Sequence, residues 1–192
     1  MANDVYNIIN LGNCTEETRA RILESVRMED RDLGSIDFEK VLPMPDSVYR
    51  GPLGKEELAR YPGERNWYYW AREHWGTKWN AYGFEEIPEG KGDIRFCTAW
   101  SAAHPVVKEL SAQYPDVRFE LTWADEDIGS NTGRTVFQNG GITDRFYPPD
   151  QSEEAIRFAA EVWDLDPQDF GLDLKKETVP GRTEPAQGKE VR

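Results

Sequence analysis

DIRFCTAWSAAHPVVKELSAQYPDVRFELTW, residues 93–123, passes through three hydrophobic periods in succession. From Asp93 to Ser101 the residues alternate, with Ile94, Phe96, Thr98 and Trp100 facing one way and Arg95, Cys97 and Ala99 the other. That period of two predicts a strand with two distinct faces. His104-Pro105 then opens a helix, with proline in the first turn, where its missing N–H costs nothing. Val106, Val107, Leu110 and Tyr114 form its buried stripe. Pro115-Asp116 turns the chain into a second alternating run, Val117, Phe119, Leu121 and Trp123. Strand, helix and strand follow with short joints, so the unit is βαβ.

The same pattern recurs toward the N-terminus. Asp4 to Leu11 alternates, with Val5, Asn7, Ile9 and Leu11 on one face and Tyr6, Ile8 and Asn10 on the other. Thr15 is an N-cap, followed by Glu16 and Glu17 where the helix dipole favours negative charge. Ala20, Ile22, Leu23 and Val26 continue at helical spacing, predicting a helix over 15–28. Ser35 to Leu42 alternates through Ile36 and Phe38 and reads as a strand stopped by Pro43 and Pro45. The order βαβ, insertion, βαβ predicts an α+β fold, a ferredoxin-like split βαβ sandwich. Residues 46–92 are the insertion, too short for a core of their own. A β-hairpin over 134–147 turning at Asn139-Gly140-Gly141 follows, then a helix of about 151–164. Asp150 and Glu153 can cap that helix as a box, and Ile156, Ala159, Ala160 and Trp163 make its stripe. Residues 1–174 are expected to form a single domain, and 175–192 a polar mobile tail.

The insertion holds Asn66 to Asn80, NWYYWAREHWGTKWN, with four tryptophans and two tyrosines in fifteen residues. At about 100° per residue Trp67, Trp70, Ala71, His74 and Trp75 share a helix face opposite Tyr69, Arg72 and Glu73. That face reads as core, His74 as a core histidine with a satisfied ring nitrogen, and the whole as cover for the sheet face the other helices leave open. Gly76 ends the helix in a left-handed cap. Beyond it Lys78 and Asn80 alternate with Trp79. Two readings stay open for them: a lysine over an aromatic ring with an asparagine serving the backbone, or a binding group.

Composition narrows the function. The formal charge of −13 disfavours DNA or RNA as a direct ligand, because phosphate binding needs clustered Lys and Arg. An RNA-recognition domain, which shares this strand and helix order, would carry a basic, glycine-containing third strand; Ile94–Trp100 has no glycine. No run of eighteen apolar residues exists, so no membrane association is expected, and no export signal is read at MANDVYNIIN. Cys14 and Cys97 read as free thiols of a cytoplasmic protein. Asp125-Glu126-Asp127 at a strand end reads as a solvated turn more readily than as a cation site. Gly129-Ser130-Asn131-Thr132-Gly133-Arg134 lacks the Gly-Lys-Ser/Thr ending of a phosphate loop and reads as a turn. No catalytic pairing of Ser or Cys with His is evident, and no cofactor is expected.

Asn7, Trp75-Gly76-Thr77-Lys78-Trp79-Asn80, Thr98-Ala99-Trp100-Ser101 with Pro105-Val106, and Phe119 with Ala124-Asp125-Glu126 together resemble the YubB-like ferredoxin-like family of bacterial plasmids and phages. The resemblance runs over most of residues 1–147 and implies a ferredoxin-like domain on a mobile element, with no catalytic residues carried over. The expected function is therefore non-enzymatic: binding a host or element-encoded protein, as a counter-defence or host-takeover inhibitor. Its surface candidates are Lys78, Asn80, Asp125, Glu126 and Asp127. The alternative is a small-molecule or enzymatic pocket between insertion and sheet, with His74, Lys78 and Asn80 as polar groups and Trp75 and Trp79 as walls.

Overall fold

A computed structural model describes residues 2–84 and 92–172. The tail expected over 175–192 and residues 85–91 of the insertion lie outside the described residues. The strands are β1 (Asp4–Gly12), β2 (Ile94–Ala99), β3 (Arg118–Asp125), β4 (Gly133–Gln138) and β5 (Gly141–Phe146). They form one antiparallel sheet in the order β2-β1-β3-β4-β5. β2 and β3 both run antiparallel to β1, so they are parallel to each other with β1 between them. Helix α5 (His104–Gln113) joins them and completes a split βαβ unit. β1 and β4 stand in the same relation about β3. This interleaving makes the fold ferredoxin-like, in the α+β class.

The alternation of β1 sorts the two faces. Val5, Ile9 and Leu11 enter the larger core with Ile94, Phe96, Phe119, Leu121 and Trp123. Helix α1 (Glu16–Val26) supplies Ile22 and Val26 to that core, and α5 supplies Val106, Val107 and Leu110. Thr15 caps α1 by accepting the Thr18 N–H at 3.2 Å. Tyr6, Ile8, Cys97 and Ala124 face the other way, under helix α6 (Glu153–Trp163). In the β4–β5 turn Asn139 and Gly140 have φ of 49° and 70°, the mirror-image turn that suits the twist of a hairpin.

Three expectations are corrected. Ser35 to Leu42 is not a strand: Phe38–Val41 is a one-turn helix, α2, because the Asp37 carboxylate accepts the Glu39 N–H at 3.0 Å and starts a helix there. Ile36, Phe38 and Val41 are buried all the same, so burial without a second face had mimicked alternation. The outer edge of β2 is met instead by Gly34, whose carbonyl accepts from Arg95, and by Tyr82, which exchanges two backbone hydrogen bonds with Cys97. The aromatic insertion does not cover the open face. Its helices α3 (Lys55–Arg60) and α4 (Trp67–His74) precede a loop whose Trp75, with Trp70 and Ala71, joins the larger core on the α1 and α5 side. The open face belongs to α6, whose cap is Ser152 and not Asp150: the Ser152 hydroxyl accepts the Ala155 N–H at 3.1 Å. Among the described residues no helix is long and apolar enough to cross a membrane.

Candidate functional site: an aromatic and acidic groove at one end of the sheet

The loop after α4 is fastened to the end of β2. Gly76, with φ of 76°, ends the helical path, and a Cβ there would lie 2.7 Å from Pro105 Cδ. The buried Thr77 hydroxyl donates to the Ala99 carbonyl at 2.9 Å, and Ser101 Oγ donates to the Gly76 carbonyl at 2.5 Å. The Trp75–Asn80 and Thr98–Ser101 segments, distant in sequence, are thereby stitched together.

Trp100 lies one residue past β2 at φ of 69°, a conformation that costs a bulky L-residue about 1–2 kcal/mol. Its amide donates to the Asn3 carbonyl at 2.9 Å, and its own carbonyl accepts from Asn131 Nδ2 at 3.0 Å. Asn131 also reaches Asp125 Oδ2 at 3.2 Å, while Asp125 Oδ1 accepts from Asn3 Nδ2 and from the Asp127 amide. The buried Asp125 carboxylate thus holds the two segments that hold Trp100. The outcome is an indole that is 44% exposed, where continued alternation would have turned it into the core.

Lys78 Nζ sits 4.4 Å from the Trp79 ring centroid and 4.8 Å from that of Trp100, within cation–π range of both. Trp79 is itself 38% exposed and packs against Tyr82, ring centroids 6.2 Å apart. The Tyr82 hydroxyl donates to Asp4 Oδ1. Burial pushes the Tyr82 pKa up, and the hydrogen bond and charge of Asp4 add to the rise, so this hydroxyl stays a donor. The Glu126 amide donates to the Asp4 carbonyl at 2.8 Å, which brings its exposed side chain to the same place. Asp4, Lys78, Trp79, Tyr82, Trp100 and Glu126 line a groove of about 630 Å³.

Of the residues singled out from sequence, Lys78, Trp79 and Glu126 meet in this groove, and Asp125 lies beneath it. Asp127 turns away and accepts from Ser130 Oγ at 3.0 Å. Asn80 points inward: its Oδ1 accepts from the Phe38 and Ala81 amides at 2.9 and 2.8 Å, and its Nδ2 donates to Asp37 at 2.8 Å. His74 is not a core histidine. It stacks on Trp70 at 4.4 Å, with Nε2 2.8 Å from Glu64 Oε2 and its side chain 39% exposed. Trp75 is core, its indole N–H donating to the Leu42 carbonyl at 2.8 Å, so the pocket expected between insertion and sheet lacks that wall, while its other expected wall, Trp79, lines the groove. Asp4, Tyr82 and Trp100 escaped the sequence reading. The one available signal was a tryptophan set directly before a Ser-Ala-Ala loop at the end of a strand.

A second cavity of about 350 Å³ lies between the sheet and α6, lined by Ile8, Glu120, Arg134 and Phe158 among others. Its charged arms are already paired, Arg134 with Asp144 at 2.8 Å and Glu120 with Arg118 at 2.6 Å. Among the described residues no group of three or more His, Cys, Asp or Glu side chains is arranged to hold a metal ion.

The class that fold and site define is a ferredoxin-like α+β protein with a groove at one end of the sheet in which two exposed tryptophans flank the Lys78 ammonium. Residues 74–166 match the family model described as the ferredoxin-like domain in Api92-like protein. The matched stretch runs from the last residue of α4 through α6, and so takes in Lys78, Trp79, Tyr82, Trp100 and Glu126. No curated protein and no solved structure matches the chain.

Proposed function

We propose that this protein is a non-enzymatic binding module that receives a basic segment of a protein partner in the groove of Asp4, Lys78, Trp79, Tyr82, Trp100 and Glu126. The observation that carries the reading is Trp100: a strained backbone, held by the Asn3 carbonyl and the Asn131 side chain and braced through both by the buried Asp125 carboxylate, displays a large apolar ring to solvent. Strain of that kind persists where the display has a use. The ring has an exposed tryptophan neighbour and carboxylates on its rim, and tryptophan anchors are what protein interfaces favour. The charge of −13 adds long-range attraction for a basic partner. In its concrete form the protein is a cytoplasmic counter-defence or host-takeover inhibitor of a phage or plasmid. The likeness of Trp75–Asn80 to YubB-like proteins and the acidic balance support that form.

The test is affinity capture from a bacterial lysate at low salt with three baits: wild type, Trp100→Gly and Glu126→Lys. A stoichiometric partner held by wild type and lost from both variants is expected. Recovery of no such partner, or equal recovery by all three baits, defeats the reading. One observation favours a second reading, a small-ligand site: the groove volume falls within the range of small-molecule pockets. Native mass spectrometry of the protein after incubation with a metabolite extract would then show a retained low-mass adduct.

A further inference from the structure

We infer that the groove recognises an arginine side chain of the partner, and that Lys78 is a built-in occupant which the incoming guanidinium displaces. This rests on the binding-module reading and names the chemistry of that same site.

The pair of indoles already holds a cation: a single ammonium lies within 5 Å of both ring centroids. That ammonium belongs to a half-buried lysine held by the two rings, on a long unbranched stem whose charged end can reach water. The backbone that carries the indoles is anchored. Trp100 is fixed through Asn3 and Asn131, and Trp79 stands between Lys78 and the inward-facing Asn80. The slot is therefore more permanent than what fills it.

A guanidinium fits the slot better than an ammonium does. It is planar, stacks on an indole face and is less strongly hydrated, so it loses less on leaving water. It also carries N–H groups on its edge, which suit a carboxylate while its face covers the ring. Glu126 supplies that carboxylate: its side chain is exposed beside the slot and takes no hydrogen bond or ion pair from the described residues. Asp4 is the second carboxylate of the groove, its Oδ1 oriented by the Tyr82 hydroxyl. An incoming arginine thus meets two carboxylates and two indoles, opposed by one lysine.

The test uses the full chain and three five-residue peptides differing only at the centre: arginine, lysine or citrulline. The indole N–H resonances of Trp79 and Trp100 are followed by NMR during titration. The arginine peptide is expected to shift both resonances at several-fold lower concentration than the lysine peptide, and citrulline to shift neither. Lys78→Ala, which empties the slot, should tighten arginine-peptide binding by about tenfold, the combined effect of a vacant slot and one less positive charge. Lys78→Arg should weaken it, because it keeps the charge and fills the slot with the preferred group. A merely electrostatic role for Lys78 would leave Lys78→Arg equal to wild type, and that result overturns the proposal. So does equal binding of the citrulline peptide. A lysate partner that requires Trp100 while the arginine peptide fails to compete for it would overturn this inference and leave the binding module standing. Recovery of no partner at all would remove both.

Discussion

Trp100 couples stability to display. Replacing it by glycine relieves the left-handed backbone, because glycine has no Cβ to crowd the following carbonyl. Trp100→Gly should therefore be as stable as wild type or more stable by up to about 1 kcal/mol, measured by urea denaturation. Clear destabilisation would show that the indole serves the core. Asn80 is the opposite case. Its amide closes the start of α2 by accepting from the Phe38 N–H and donating to Asp37, and Asn80→Ala leaves the Phe38 N–H without that acceptor, with an expected loss of about 2 kcal/mol. His104 sets a pH dependence. Burial pushes its pKa below the usual histidine value, against a weaker opposing hydrogen bond to the Ala102 carbonyl. Its ring lies edge-on to Trp123 at 4.5 Å, with Nε2 3.3 Å from Thr135 Oγ1, which in turn meets the Tyr147 hydroxyl at 2.8 Å. The unfolded chain binds this proton more readily than the folded one, so acid favours unfolding. Stability owed to neutral His104 is complete above a pH of about 6.5 and is lost as pH falls below it. In His104→Gln that part of the slope below about pH 6.5 should vanish; an unchanged slope would assign it to other groups.

At the scale of elements, β1, β2, β3, α1, α5 and α6 were legible from the spacing of their apolar residues, and the hairpin from its Asn139-Gly140-Gly141 turn, since β5 is exposed along nearly its whole length. Residues 35–42 were misread for a physical reason. Ile36 and Phe38 are two apart and both buried, which imitates a strand, while the deciding feature, a carboxylate capping the Glu39 amide, is local and short. The core reading of the aromatic stripe holds for Trp70, Ala71 and Trp75 and fails for His74, and the stripe was assigned to the wrong face, since periodicity says that a face is buried and not against what. The open face instead takes α6, where Trp163 packs at a tilt against Tyr6, ring centroids 5.3 Å apart, and donates to the Ala124 and Asp125 carbonyls at 3.2 and 3.1 Å. Trp163→Ala should cost about 2–3 kcal/mol, below the range for a fully buried tryptophan because this one is partly exposed. It should also open the buried Cys97 to thiol reagents. Loss of that stability without faster labelling of Cys97 would mean that α6 stays docked.

For the molecule as a whole, half of the groove could be found from sequence and half could not. Lys78, Trp79 and Glu126 were candidates because each carries chemistry at a turn or strand end. Asp4, Tyr82 and Trp100 became partners only through long-range placement: β1 between β2 and β3, Tyr82 on the outer edge of β2, and a backbone inversion after Ala99. The fold brings the start of β1 and the ends of β2 and β3 to one place, and the Trp75–Asn80 loop roofs it. If the groove binds a basic partner as proposed, the net charge of −13 extends the attraction beyond it, and binding should weaken as salt rises and the Debye length falls. The most direct measurement is calorimetric titration of the captured partner into wild type and into Trp100→Gly at low salt, with both proteins shown folded by their denaturation curves. At least a tenfold loss of affinity in the variant is expected, the size of an interface anchor. Equal affinity in the two would contradict the assignment of the groove as the binding face.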